Sequence, residues 1–208
     1  MVEPRQHWES VYRTKRPTEV SWYRPHLEIS LQLIEEAVAN RDAHIIDVGA
    51  GESTLVDDLQ ARGYRNLYAL DLSATALDVA KARLGANASR INWLCGDVRT
   101  FPFSSEQFDL WHDRAVFHFL TDPADRAAYV RQVARAVKPG GHVIVATFGP
   151  EGPTQCSGLD VMRYGPEALH DEFGSHFRLV KHRSELHQTP MGSTQQFPYC
   201  YCRASQSE

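Results

Sequence analysis

His44-Ile45-Ile46-Asp47-Val48-Gly49-Ala50-Gly51-Glu52-Ser53 sets the architecture of the chain. The apolar run Ile45, Ile46 and Val48 is long enough for a buried strand and passes straight into Gly49-Ala50-Gly51. Ser53 is placed to cap a helix that carries Leu55, Val56 and Leu59 at helical spacing. Strand, glycine turn and helix form the opening unit of a nucleotide-binding α/β sheet, with glycines where a ligand must come close to the backbone. Asp47 ends the strand and brings a carboxylate to the loop, which suits a cationic sulfonium ligand and opposes a pyrophosphate. Thr54 stands where the dinucleotide fingerprint Gly-x-Gly-x-x-Gly needs its third glycine. An ordinary strand-to-helix turn is the alternative for this stretch taken alone.

The 208 residues suit one domain able to bury roughly 70% of its unfolded surface. Residues 1–40 read as an aromatic-rich flap and a first helix, and residues 41–208 as the ligand-binding domain. A net charge of −4, with no Lys/Arg run longer than two, argues against a nucleic-acid partner. Apolar runs are strand-sized, so no membrane span is expected. Met1 is followed by Val, Glu, Pro and Arg rather than an apolar signal segment, which points to the cytoplasm. Cys95, Cys156, Cys200 and Cys202 have neither disulfide-framework nor zinc spacing, and Cys200 and Cys202 would share one face of a strand. No signal for oligomeric state is present.

Trp8, Tyr12, Trp22 and Tyr23 lie among charges in the first 24 residues. Residues 6–13 can form a short helix with Trp8 and Tyr12 on one side. The rings would fold either over the sheet's edge or over a bound ligand. Pro25 can open a helix ending near Asn40, with Leu27, Leu31, Ile34 and Val38 toward the sheet. A second strand spans 66–71 and ends in Asp71, 20 residues beyond Gly51, the spacing at which an acid takes ribose hydroxyls. Ser73 then caps a helix through Leu84. Residues 91–95 make a third strand before Gly96-Asp97-Val98, a turn that borders an adenine in this architecture. A fourth strand, 108–111, delivers His112-Asp113-Arg114 to its carboxyl end. A helix over 123–137 stops at Lys138-Pro139-Gly140-Gly141, and a fifth strand covers 142–148. Residues 149–164 read as a long substrate-side loop, 166–173 as a short helix, and 177–186 and 195–203 as two final strands. The pattern implies a mainly parallel sheet with an antiparallel hairpin.

Taken together, Asp47-x-Gly49-x-Gly51, Asp71 closing the second strand, Gly96-Asp97, Phe108-Asp109 and Lys138-Pro139-Gly140-Gly141 resemble the class I S-adenosylmethionine-dependent methyltransferases over residues 41–203. The resemblance implies a Rossmann-like α/β fold: seven strands, mostly parallel, with an antiparallel terminal strand and helices on both faces. It implies S-adenosyl-L-methionine as cofactor and methyl transfer as activity. Asp47 and the Gly49-Ala50-Gly51 backbone would hold the methionine end, Asp71 and Leu72 the ribose side, and Asp97 with Val98 the adenine. Trp111-His112-Asp113-Arg114-Ala115 with Asp125-Arg126-x-x-Tyr129 is similar to thiopurine and small-thiol S-methyltransferases, save for the inserted His112 and for Ala115 in place of glycine. His7-Trp8-Glu9-x-x-Tyr12 is similar to the amino end of small protein-lysine methyltransferases.

An activated sulfonium methyl chiefly requires an acceptor aligned in line with the sulfur–methyl bond. A thiol acceptor is eased toward thiolate by a cation such as Arg114, and an amine or hydroxyl must lose a proton. His112, Asp113 and Arg114 are therefore the expected acceptor-side catalytic residues, with Trp8, Tyr12, Trp22, Tyr23 and His118 contacting the substrate. Asp113 has a plain alternative in pairing with Arg114 or capping a helix, and His118 in core packing beside Phe117 and Phe119. No metal site is expected. The leading reading is a small-molecule acceptor, plausible above all as a thiol or other soft nucleophile. Protein-lysine methylation, a nicotinamide-nucleotide reductase and a non-catalytic adenosylmethionine-binding protein are the alternatives.

Overall fold

The computed structural model describes residues 3–206. Seven strands form one sheet: β1 (His44–Val48), β2 (Asn66–Asp71), β3 (Ile91–Cys95), β4 (Phe108–Arg114), β5 (Val137–Ala146), β8 (Phe177–Gln188) and β9 (Thr194–Ala204). Between β5 and β8 lies a separate two-stranded hairpin, β6 (Gln155–Cys156) and β7 (Leu159–Asp160). Spatial order is β3-β2-β1-β4-β5-β9-β8, with the strand order reversing beside β1. Strands β1 to β5 pair in parallel, and β9 enters antiparallel between β5 and β8. Open α/β sheets bind ligands beyond the carboxyl ends of their strands at such a reversal, here the tips of β1 and β4.

Alternating side chains on these strands feed two cores. Ile45, Leu110, Ile144 and Tyr199 face α2 (Glu28–Ala37) and α3 (Leu55–Ala61) through Leu31, Ile34 and Leu59. On the opposite face, Ile46, Trp111, Val143 and Val145 pack with Tyr129 and Val133 of α5 (Pro123–Ala136). Both sheet faces are thus covered, as parallel strands require. Helix α4 (Ala74–Leu84) starts on Ser73, whose hydroxyl accepts the Ala76 amide at 3.2 Å. No helix among the described residues is long and apolar enough to cross a membrane.

Several boundaries differ from the sequence expectations. The first long helix begins at Glu28 and ends at Ala37, inside the expected 25–40. Strand β4 continues to Arg114, so His112-Asp113-Arg114 belongs to the strand rather than to the loop after it. Its polar residues stay extended because each meets a buried partner from another element. Strand β5 begins at Val137, and a register shift opposite Phe108 and Leu110 absorbs Lys138-Pro139-Gly140-Gly141 as a bulge. Within 149–164, Ser157 and Gly158 take φ of 49° and 77° and close the β6–β7 hairpin, a turn those residues favour.

The flap is helical: α1 (Pro4–Thr14) reaches Cys95 at the end of β3 through Arg5 and Gly51 after β1 through Tyr12. Glu9 Oε1 accepts the Ala74 amide at 2.7 Å, pinning α1 to the start of α4. Val11 and Tyr12 are its buried residues.

Candidate active site

A cleft of about 520 Å³ opens where α1, the segment after it and the first glycine turn meet. Its walls include Tyr12, Trp22, Tyr23 and Arg24 on one side and Asp47, Gly49, Ala50 and Glu52 on the other, with His112 and Arg114 from β4. The glycine turn is shaped for close approach. Gly49 and Gly51 have φ of 65° and 51°, the left-handed region that glycine adopts without a Cβ penalty. A Cβ at Gly49 would fall 1.9 Å from Val116 Cγ2, and one at Gly51 would fall 2.5 Å from the Tyr12 hydroxyl. These bare positions let the Val116 side chain and the Tyr12 hydroxyl pack directly against the turn.

The strand-end acids are buried and held. Asp47 sits directly opposite His112 in the β1–β4 ladder, and its Oδ1 is 2.7 Å from His112 Nδ1. His112 is wholly buried, and its Nε2 is 2.9 Å from the Ser30 hydroxyl of α2. With both ring nitrogens engaged, His112 orients the Asp47 carboxylate. Asp71 accepts the Gly51 amide on Oδ2 and the Ser73 amide on Oδ1, each at 2.8 Å. Burial pushes its carboxyl up to about 6, against the pull of those two amides. Leu72 follows half-buried, and its carbonyl lies 3.7 Å from the Cys95 thiol. Asp97 is turned onto its own loop, accepting the Arg99 amide at 2.9 Å and pairing with the Arg99 guanidinium, while Val98 joins the core. Burial alone would raise the Asp97 carboxyl; the Arg99 contacts outweigh it and hold it below its ordinary range.

Arg114 closes the other wall. Its guanidinium donates to the Tyr199 hydroxyl at 3.2 Å, to the Trp22 carbonyl at 3.1 Å and to Glu185 Oε2 at 3.4 Å. It also lies 4.1 Å over the Phe197 ring. Tyr199 donates to Glu185 at 2.9 Å, and Arg24 Nε is 2.9 Å from the other Glu185 oxygen. Two guanidinium groups therefore share one buried carboxylate beside the cleft.

Asp113, His118 and Trp8 do not line the cleft, Asp113 because of strand alternation and His118 because the helical turn after β4 carries it into the core. Asp113 points to the opposite sheet face from His112. There it accepts from the Tyr129 hydroxyl at 2.7 Å and from the Val116 and Phe117 amides at 3.0 and 3.1 Å. It ties down the turn after β4 instead of meeting the acceptor, and burial pushes its carboxyl up to about 7 against the Tyr129 bond. His118 lies wholly buried between Phe119 and Phe148, each ring centroid 4.5 Å away, and does not line the cleft. Its Nδ1 accepts the Phe148 amide at 3.2 Å, and burial followed by the Arg114 charge pushes it down to about 3, so the ring is neutral. Tyr12, Trp22 and Tyr23 do reach the cleft. Trp8 stands behind them, 5.8 Å from Trp22 and 5.0 Å from Phe119 by ring centroid. Sequence reasoning missed Ser30, Arg24, Glu185 and Tyr199, whose partners are distant in the chain. Glu52 was in plain view beside Gly51.

Comparison with known proteins agrees with this geometry. A family profile described as "Methyltransferase domain" matches residues 45–141. A biotin biosynthesis bifunctional protein of Cellvibrio japonicus is 28% identical over 59% of this chain and 23% of its own length. A ubiquinone biosynthesis O-methyltransferase of Coxiella burnetii is 26% identical over 58% of this chain and 50% of its own. The chain thus spans half or less of the length of these relatives. A crystal structure of a SAM-dependent methyltransferase from Methanosarcina mazei superposes with a TM-score of 0.72 at 16% identity, over 84% of this chain and 98% of that one. Residues 45–141 thus match a methyltransferase domain, and the sheet order and acid-tipped first two strands are similar to the fold of S-adenosylmethionine-dependent methyltransferases.

Proposed function

We propose that the protein transfers the methyl group of S-adenosylmethionine to a small-molecule acceptor, a thiol or another soft nucleophile. The observation that carries this reading is the lining of the cleft, in which Trp22, Tyr23, Arg24 and Arg114 stand with Asp47, Gly49 and Ala50 of the glycine turn. The β6–β7 hairpin packs on the segment after α1, with Cys156 Sγ 3.9 Å from the Ser21 hydroxyl. A folded protein substrate needs an open groove, whereas this cleft suits a compact molecule. The similar protein named as a ubiquinone biosynthesis O-methyltransferase supports a small-molecule acceptor.

The cofactor supplies an activated methyl group. The chain's part is positional and electrostatic: Asp47, steadied by His112, faces the methionine end, and Asp71 faces the ribose side. Trp22 and Tyr23 provide flat apolar contact for the acceptor, and the positive charge of Arg24 and Arg114 favours an anionic nucleophile such as a thiolate. Cys95, Cys156, Cys200 and Cys202 as free thiols support a reducing, cytoplasmic setting. The test is methyl transfer from radiolabelled cofactor to a panel of small thiols, amines and phenols, run beside a desalted cell extract. Label in one or more small molecules is expected. Label confined to the protein fraction would replace this reading with protein methylation.

A further inference from the structure

Glu52 directly follows the glycine turn and is 9% exposed, and it lines the cleft. Among the described residues its Oε2 has no hydrogen-bond partner. Such a buried acceptor costs free energy unless something else meets it. Three charged or ionisable groups face it from separate elements. Arg83 of α4 spends its guanidinium on the Glu52 and Ser53 carbonyls, at 2.8 and 2.6 Å, and on Asp57. Asp71 of β2 is a second acid whose two oxygens are already taken by backbone amides. Tyr12 of α1 is buried and adds no charge. Among the described residues, the cleft thus presents an unpartnered carboxyl oxygen, a neighbouring acid and no free cation on that wall.

We infer that Glu52 is a binding residue for a cationic centre of the cofactor's methionine end. The inference rests on the adenosylmethionine reading of the cleft and adds a residue that the glycine-and-aspartate pattern does not include. The cofactor carries two such centres, the sulfonium and the α-ammonium, and a carboxylate suits either. Without a ligand, burial pushes the Glu52 carboxyl up to about 7, partly opposed by Arg83 and reinforced by Asp71. A cation brought beside it favours the ionised form, so the bound state holds Glu52 as carboxylate and the displaced proton passes to buffer. Cofactor affinity therefore rises with pH across neutrality.

Calorimetric titration of adenosylmethionine at pH 6.5, in two buffers of different ionisation enthalpy, counts the protons released. A release of roughly 0.7 proton from Glu52 is expected, shrinking toward zero at pH 8.5. Glu52→Gln should lose that release and bind the cofactor about tenfold more weakly at pH 8, while unfolding at no lower temperature than wild type. Adenosylhomocysteine keeps the ammonium and lacks the sulfonium, whereas 5′-methylthioadenosine lacks both. Release with both amino-acid ligands assigns the ammonium, and release with adenosylmethionine alone assigns the sulfonium. Equal release with methylthioadenosine, or undiminished release in Glu52→Gln, overturns the role of Glu52 while leaving cofactor binding intact. Absence of any adenosylmethionine binding to wild type would instead overturn the cofactor reading, and this inference with it.

Discussion

Replacing Glu185 by Gln removes the carboxylate shared by Arg24 and Arg114 and keeps the side chain's size. The Arg114 side chain is 3% exposed and Glu185 is 5% exposed, so solvent screens this pair little. Breaking a buried pair from one side leaves an uncompensated charge and costs about 3–5 kcal/mol, far more than the roughly 0–1 kcal/mol of an exposed pair. Arg114 keeps the Trp22 carbonyl and the Tyr199 hydroxyl, which places the expected loss near the lower end, about 3 kcal/mol. In a chain of this length that is a fall in Tm of roughly 6–12 °C. Denaturant unfolding of Glu185→Gln, Arg114→Leu and the double variant measures it. The double variant should recover much of the loss, because the stranded guanidinium is gone, and should bind acceptor poorly. If Glu185→Gln unfolds within 1 kcal/mol of wild type, the polar wall of the cleft is not held as argued.

Ala115 stands in the left-handed region at φ 71°, right after β4, so Ala115→Gly should stabilise the protein by about 0.5–1 kcal/mol in the same denaturant assay. The raised carboxyls set a pH dependence of the ligand-free protein. Asp71 at about 6, and Glu52 and Asp113 at about 7, bind protons more tightly folded than unfolded. Stability from these carboxyls therefore increases as pH falls from about 7.5 toward 5, while the lowered His118 acts in the opposite sense below its ordinary range. Between about pH 8 and 5.5 wild type should therefore gain stability relative to Glu52→Gln, which lacks one raised carboxyl, in the same unfolding assay. Below the ordinary carboxylate range the lowered groups Asp97 and Asp109 act in the opposite sense, their stabilising contribution fading as they protonate.

The elements at the tips of β1 to β3 were legible because their signals are local. An apolar run, two glycines and an acid at fixed spacing state the strand, the turn and the acid at its tip together. The end of β4 was not legible. His112, Asp113 and Arg114 read as loop because three consecutive polar residues rarely stay buried in a strand. What keeps them there comes from far along the chain: Ser30 for His112, Tyr129 for Asp113, and Glu185 and Tyr199 for Arg114. The same long reach hides which of the three faces the cleft, since that depends on where the strand ends and hence on its alternation. The β6–β7 hairpin escaped notice because strands of two residues carry no periodicity, although Ser157-Gly158 held the turn signal.

The most direct test is calorimetric titration of adenosylmethionine into wild type and Asp47→Asn, with NAD as the competing ligand class. Saturable binding at one site per chain, weakened at least about tenfold in Asp47→Asn and not reproduced by NAD, is the predicted result. Undiminished affinity in Asp47→Asn, or binding of NAD in place of adenosylmethionine, would contradict the account of the cradle at the end of β1.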